Sequence, residues 1–146
     1  MGKEFRLTDL STDWLLFAAW LVALTSTGGA LFIGEVLGQT PCDLCWFQRA
    51  FMFPLAVVLG LAALRGDRAV RPYALTLAGI GLAIAAFHTL RYLDVIPEAI
   101  RPCTATGPSC LGAGMVIVGI PIPVLSLVAF AAIATLLSIP VKESSR

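Results

Sequence analysis

The chain has 146 residues, of which 58% are hydrophobic and only 13% are charged, and its mean hydropathy is +0.90. A soluble domain carries about 25% charged residues and roughly 45 to 50% apolar ones, so this composition excludes one and indicates that lipid takes the place of water. The net charge of +1 argues against nucleic-acid binding, which needs a basic patch or stripe. We therefore expect a single integral membrane domain over residues 1–146, with the lipid bilayer as a partner and no nucleic acid.

Four apolar segments approach the length of about 20 residues that a helix needs to cross a bilayer. The predicted spans are residues 14–33, 46–64, 73–90 and 121–139. The leader before the first span mixes acidic and basic residues, which is untypical of a cleaved signal peptide. The second span is long enough only if Arg49 lies in its first turn, where an ionisable side chain either reaches the headgroups or serves a function. The predicted fold class is all-α, a bundle of four transmembrane helices.

Lysine and arginine are unevenly distributed among the segments that connect these spans. Seven of them lie in the N-terminal leader, in the link between spans two and three, and in the C-terminal tail: Lys3, Arg6, Arg65, Arg68, Arg71, Lys142 and Arg146. The remaining connections contain only Arg91 and Arg101, besides Arg49 at a helix start. Because short cytoplasmic loops are enriched in basic residues, both termini are predicted to be cytoplasmic and residues 34–45 and 91–120 to be outward loops.

All four cysteines of the chain fall in the two predicted outward loops, as Cys42 with Cys45 and Cys103 with Cys110. An oxidising exterior permits disulfides there. Three pairings are possible, and the short spacing favours these two pairs in the resting state. The alternatives are inert structural disulfides and a zinc site made by four thiolates. An oxidising compartment disfavours the zinc site, and we predict no metal site.

The second cysteine of the Cys-x-x-Cys pair lies at the start of span two. The positive end of the helix dipole, together with Arg49 four residues further along on the same helix face, stabilises a thiolate at Cys45. Cys45 is therefore expected to face an electron acceptor. Span three runs back to the same leaflet. His88, near its end, is therefore either a polar anchor or a hydrogen-bond donor to that acceptor. Since no haem motif and no nucleotide-binding glycine loop occurs, a quinone dissolved in the bilayer is the simplest acceptor.

Residues 42–49, Cys-Asp-Leu-Cys-Trp-Phe-Gln-Arg, resemble the Cys-x-x-Cys-x-x-(Glu/Gln)-Arg signature of the DsbB/BdbC family of disulfide bond formation proteins. His88-Thr89-Leu90, the later cysteine pair and residues 120–127 also resemble that family, and the likeness covers about residues 14–140. Only six residues separate Cys103 from Cys110. The second loop is therefore closer to the short-loop, BdbC-like members, and loop movement is the expected way for Cys103 to reach Cys42.

The resemblance implies an enzyme, a membrane thiol:quinone oxidoreductase that reoxidises a DsbA-like thioredoxin-fold partner and so sustains disulfide bond formation. It also implies a bacterial cytoplasmic (inner) membrane, with the cysteine loops on the periplasmic or extracellular side. Two alternatives stay open. One is a non-catalytic membrane protein whose loops are joined by structural disulfides. The other is an enzyme like vitamin K epoxide reductase, in which the loop pair precedes the Cys-x-x-Cys, the opposite order to that found here.

Residue by residue, the resemblance gives all four cysteines a catalytic role. Cys103 would be attacked by the reduced partner, with Cys110 as its disulfide partner, and the electrons would then pass to the Cys-x-x-Cys pair. Cys45 would face the quinone, either ubiquinone or menaquinone. Arg49 and His88 would be the other residues that bind this cofactor.

Overall fold

The computed structural model describes residues 7–96 and 116–140, with side chains from residue 14 onward. Its main elements are four helices: α1 (Leu7–Leu31), α2 (Asp43–Arg65), α3 (Arg71–Tyr92) and α4 (Ile122–Ser138). The short elements are a π-helical turn at Phe32–Val36, a 3-10 turn at Arg68–Val70, and the antiparallel strands β1 (Val116–Ile117) and β2 (Ile120–Pro121). Over the described residues the chain is therefore mostly helical.

Three of the helical segments are long and apolar enough to cross a membrane. They are Trp14–Val36, Asp43–Arg65 and Arg68–Tyr92, with 23, 23 and 25 residues. Helix α4 is apolar but shorter, with 17 residues, which correspond to a rise of about 26 Å. The prediction of a helical membrane protein is confirmed, whereas the complete four-span bundle and the side on which each terminus lies stay predictions.

Helix α2 begins three residues before the predicted start of its span. Cys42 is the residue before the first turn and has an extended backbone, with φ −73° and ψ 169°. Asp43 follows in the first turn, where a carboxylate is stabilised by the free backbone amides and the helix dipole. The prediction based on apolar residues began the span at Trp46 and so omitted this turn. As a result, Cys45 lies within the first turn of α2.

The four helices form a ring in which α1 and α3 each contact both α2 and α4. Small residues permit the close approaches. A Cβ atom added to Gly81 on α3 would overlap the ring of Phe130 on α4, and one added to Gly60 on α2 would lie 2.7 Å from Nε1 of Trp20 on α1. Apolar helices in lipid associate mainly through such van der Waals contact, because lipid is as apolar as their side chains.

The described part of the glycine-rich segment before α4 forms the β1–β2 hairpin. Val118 and Gly119 occupy the turn with φ values of 50° and 80°. Two consecutive positive φ angles are typical of the tight turn whose twist matches that of a hairpin. Helix α4 then begins at Ile122, with Pro121 as the residue before its first turn. The N-terminal half of α4 lines the same cavity as the start of α2.

Candidate dithiol site beside an apolar cavity

The two cysteines of the Cys-x-x-Cys pair lie side by side at the start of α2. Their Sγ atoms are 3.2 Å apart and share a hydrogen bond, and both are free thiols. A disulfide would bring the sulfurs to about 2.05 Å, so this arrangement is the reduced dithiol. Cys42 is buried and Cys45 is half-buried. The pair therefore needs only a small movement to form an S–S bond.

A chain of polar contacts connects Cys42 to the end of α3. Gln48 Nε2 lies 3.0 Å from His88 Nδ1, and His88 Nε2 lies 3.9 Å from Cys42 Sγ. Because an amide nitrogen can only donate, Nδ1 is the acceptor in this orientation of the Gln48 amide, which puts the hydrogen of the imidazole on Nε2. Gln48 and His88 are both buried, so this contact satisfies two polar groups that would otherwise be costly in a membrane protein. The imidazole consequently presents an N–H group to the sulfur of Cys42.

The hydrogen-bond donors around the dithiol converge on its first cysteine. The hydrogen bond from Cys45 is the main cause that lowers the pKa of Cys42 from 9.0 to about 5, against the opposing effect of burial and with additional help from His88. The helix dipole and Arg49, taken alone, predicted the stabilised thiolate at Cys45. Neither accounts for the hydrogen bonds from Cys45 and His88 to Cys42. We therefore assign the thiolate to Cys42.

A cavity of about 590 Å³ opens beside the dithiol, between α1, α2 and α4. Its polar wall includes Cys45, Gln48 and Arg49. Most of the remaining wall is apolar or carries small hydroxyl groups: Thr25, Ser26, Ala30, Ile33, Met52, Phe53, Ile122, Leu125, Ser126, Ala129 and Phe130. The volume is within the usual range of small-molecule sites, about 300 to 1,000 Å³. Of the two cysteines, Cys45 is the one on the wall.

Arg49 crosses from α2 to the end of α1. One of its terminal nitrogens, Nη2, donates a hydrogen bond of 2.8 Å to the carbonyl oxygen of Ala30, and its guanidinium carbon lies 5.5 Å from the centroid of the Trp46 ring. Gly34, in the π-helical turn, leaves room for this side chain, because an added Cβ would be 3.3 Å from Nη2. Single π-helical turns are often found at functional sites. Arg49 thus lies against α1 at the cavity wall.

The structure brings together four of the six predicted site residues, namely Cys42, Cys45, Arg49 and His88. His88 contacts Cys42 and is not among the residues that line the cavity, so its role next to a quinone stays a prediction. The second pair, Cys103 and Cys110, lies outside the described residues, and its pairing and role also stay predictions.

Gln48 is a site residue that was not predicted from the sequence. The available signal was its position in the first turns of a membrane helix, where an amide is unfavourable without a hydrogen-bond partner. Its partner could not be identified from the sequence, because His88 lies 40 residues away.

One group of metal-ligand residues is found among the described residues. The sulfur atoms of Cys42 and Cys45 and a ring nitrogen of His88 all lie within 4.8 Å of one another. This arrangement differs from the four-cysteine zinc site that was considered from the sequence, because it combines one cysteine pair with an imidazole from another helix. Two thiols and an imidazole form a set of ligands with affinity for soft cations.

The chain is similar to proteins that are named for disulfide bond formation. The family model "Disulfide bond formation protein DsbB" matches residues 12–139. A "Probable disulfide formation protein" of Metapseudomonas resinovorans is 62% identical over 126 residues, which cover 86% of this chain and 88% of that protein. A protein of the same name from Deinococcus radiodurans is 42% identical, over 90% of this chain and 91% of its own length.

A third relative, "Disulfide bond formation protein C" of Bacillus subtilis, is 40% identical over 79% of this chain and 83% of its own length. No solved structure matches the chain. The family model covers most of the sequence, including the described helices and the dithiol. The chain therefore belongs to the DsbB family, and it is a membrane protein with a role in disulfide bond formation.

Proposed function

We propose that this protein is a thiol:quinone oxidoreductase of the bacterial inner membrane. It oxidises a DsbA-like thioredoxin-fold partner through its outward cysteine loops and passes the electrons to a membrane quinone. The observation that carries the proposal is the position of Cys45 and Arg49 on one wall of a mostly apolar cavity, directly beside the reduced dithiol. This arrangement joins a redox-active pair to a site for an apolar ligand.

The cavity walls suit a quinone. Apolar side chains from α1, α2 and α4 would contact the ring and the isoprenoid tail, and the polar wall would bind a ring carbonyl. Arg49 is well placed for this contact, because it lines the cavity and donates only one hydrogen bond among the described residues. A bound quinone would supply an acceptor for two electrons and two protons. Both ubiquinone and menaquinone have the required carbonyl groups.

The reaction of the chain's own residues begins with thiol exchange. The partner's thiolate attacks the Cys103–Cys110 disulfide at Cys103, and its second thiol then resolves the mixed disulfide, which leaves the partner oxidised and the loop pair reduced. A second exchange passes the two electrons to the Cys42–Cys45 disulfide and restores the loop disulfide. Each exchange breaks one S–S bond and forms another.

Reoxidation of the inner pair takes place at the cavity. The thiolate of Cys42, held by hydrogen bonds from Cys45 and His88, lies 3.2 Å from the sulfur of Cys45 and closes the S–S bond. A quinone bound on the Cys45 side, which faces the cavity, would accept the two electrons and two protons that the dithiol loses. The imidazole of His88 positions the thiolate, while Arg49 would stabilise negative charge on the acceptor's oxygen.

The test is quinone-dependent oxidation of a reduced thioredoxin-fold partner by the purified protein. We expect Cys45→Ala to reduce the rate to that measured without enzyme, because the inner disulfide can no longer form. Thr135→Ala, which removes an exposed hydroxyl on α4, is the matched control and should retain the rate. Full activity of Cys45→Ala would overturn the assignment. Thiol trapping adds a check, since structural disulfides would be neither reduced by the partner nor restored by quinone.

A further inference from the structure

The reduced dithiol and His88 are arranged almost as ligands of one tetrahedral metal ion. For Zn–S and Zn–N bonds of about 2.3 and 2.0 to 2.1 Å, tetrahedral geometry puts two sulfurs about 3.8 Å apart and a sulfur and a nitrogen about 3.6 Å apart. The observed separations are 3.2 Å between the sulfurs and 3.9 Å between Cys42 Sγ and His88 Nε2. All three ligand atoms lie within 4.8 Å of one another, so shifts of about 1 Å would complete the geometry.

The position of this group in the fold allows a cation to enter and leaves one coordination position open. Cys42 and His88 are buried, with 1% and 0% of their surface exposed. Cys45, however, lines the cavity, so an ion can approach from that side. Water in the cavity can then occupy the fourth position, as it does in many zinc sites with three protein ligands.

Gln48 supplies the partner that a metal-bound histidine requires. A histidine that binds metal through Nε2 carries its hydrogen on Nδ1 and donates it to an oxygen. Gln48 already lies 3.0 Å from that atom, and rotation of its amide by half a turn exchanges the nitrogen for the carbonyl oxygen. The same side chain can therefore support both forms of His88, the form that faces a thiolate and the form that binds metal.

We propose that the reduced protein binds one thiophilic divalent cation of the Zn²⁺ and Cd²⁺ class through Cys42, Cys45 and His88. Binding displaces the thiol proton of Cys45, because Cys42 is already a thiolate. The bound cation also occupies the two sulfurs that would otherwise form the disulfide, so the metal-bound and oxidised states exclude each other. A free cation of this class is consequently an inhibitor that holds the inner dithiol reduced. The site does not depend on the identity of the electron acceptor.

The experiment uses the full chain in detergent, reduced and free of quinone, with the Cys103→Ser and Cys110→Ser substitutions to remove other thiols. Cd²⁺ is added and its thiolate charge-transfer absorption is followed, and Zn²⁺ is measured by competition. We expect one ion per chain and no binding after the inner pair is oxidised. The second readout is protection of Cys45 from alkylation.

Variants of the imidazole and its partner distinguish this site from simple chelation by two thiols. His88→Ala should weaken binding at least tenfold, and Gln48→Leu by about 10- to 100-fold, as for other outer-shell partners. Gln48→Glu should tighten binding, because a carboxylate is a stronger acceptor for Nδ1–H. Thr89→Val, a buried substitution of similar shape beside His88, is the control and should leave the affinity unchanged.

Each outcome bears directly on the proposal. Loss of affinity in His88→Ala and Gln48→Leu, with a gain in Gln48→Glu, supports the three-ligand site even if one variant is poorly folded. Equal affinity of the parent and all Gln48 and His88 variants would overturn it and leave an ordinary dithiol chelate. Equal binding by the oxidised protein would also overturn it. Because no quinone is present, failure here would leave the proposed thiol:quinone activity intact.

Discussion

Arg49 and Arg71 lie near the starts of α2 and α3, and each donates hydrogen bonds to backbone carbonyls at the C-terminal end of another helix. Arg71 uses Nε and Nη2 on the carbonyl oxygen of Leu137, and Nη2 also bonds Ile139 at 2.6 Å. Arg49 makes one such bond, to Ala30, among the described residues. The guanidinium of Arg71 satisfies the carbonyl groups at the end of α4, whereas that of Arg49 also borders the cavity and the dithiol.

This difference shows how one residue type serves two purposes in the same bundle. A helix C-terminus has carbonyl groups without helical partners and a partial negative charge, and a cation stabilises both. At Arg71 this contact uses the guanidinium to hold α4 against α3. At Arg49 the single backbone contact orients the side chain and leaves other N–H groups near the cavity. The end of the bundle with Arg49 should therefore govern reactivity, and the end with Arg71 should govern stability.

The largest expected effect is on the pKa of Cys42, which lies at the same end of the bundle as Arg49. With the pKa of Cys42 lowered to about 5, the group is deprotonated at pH 7 and becomes protonated only as the pH falls through that value. Loss of the main hydrogen bond in Cys45→Ala should return the pKa toward 9.0, which reduces the thiolate at pH 7 by about a hundredfold. His88→Ala should have a smaller effect in the same direction.

Thiolate absorbance measured against pH, in a chain without Cys103 and Cys110, provides the test. Arg71→Ala is the control from the other end of the bundle and should not change the titration of Cys42. A midpoint near 9 in the parent protein would contradict the assignment of the thiolate to the first cysteine.

The next largest effect is on the apparent KM for quinone, which should depend on Arg49 and not on Arg71. Arg49→Ala should raise the apparent KM for quinone by about 10- to 150-fold, since a hydrogen bond to a charged group contributes about 1.5 to 3 kcal/mol. Arg71→Ala should leave that KM unchanged in the fraction of protein that remains folded. Steady-state kinetics with a soluble quinone analogue measure both. An unchanged KM in Arg49→Ala would remove the residue from the binding site, and Arg49→Lys tests whether charge alone suffices.

The smallest expected effect is on the free energy of unfolding, which Arg71→Ala should lower more than Arg49→Ala. Arg71→Ala should lower the free energy of unfolding by about 1 to 3 kcal/mol, because it leaves carbonyl groups at the end of α4 without their donor. Arg49→Ala should lower it less, since only one backbone bond is lost. Denaturation in mild detergent, followed by helix content, can rank the two variants. If Arg49→Ala were the less stable, both arginines would be structural and the contrast between the two ends would fail.

The membrane class, the approximate helices and most of the dithiol site were predictable from the sequence, because each depends on short-range patterns. Apolar runs require lipid, and the Cys-x-x-Cys followed by Arg49 lies within one stretch of eight residues. The expected convergence of His88 on that stretch followed from the alternating direction of the helices. The start of α2 was placed too late, because a span drawn from apolar residues leaves out Asp43, a favourable first-turn residue.

Other features depended on contacts between distant parts of the chain. The Gln48–His88 pair spans 40 residues, and its imidazole adds to the hydrogen bond from Cys45 that stabilises the thiolate at Cys42 and not at the predicted Cys45. The role of Arg71 at the end of α4 is a contact over 66 residues. Neither could be read from a pattern, because hydrogen-bond partners are set by the way in which helices pack.

The sequence by itself determined that lipid surrounds the protein, that its fold is helical, and which chemistry is available at the dithiol. Composition and local spacing fix which groups are present. Only the tertiary structure decided which cysteine receives the hydrogen bonds, which one faces the cavity, and which carbonyl groups each arginine satisfies. The physical reason is that hydrogen bonds and cavity walls depend on distances of a few ångströms between separate helices. Those distances are set by close contacts such as that of Gly81 with Phe130, which no single segment of the chain specifies.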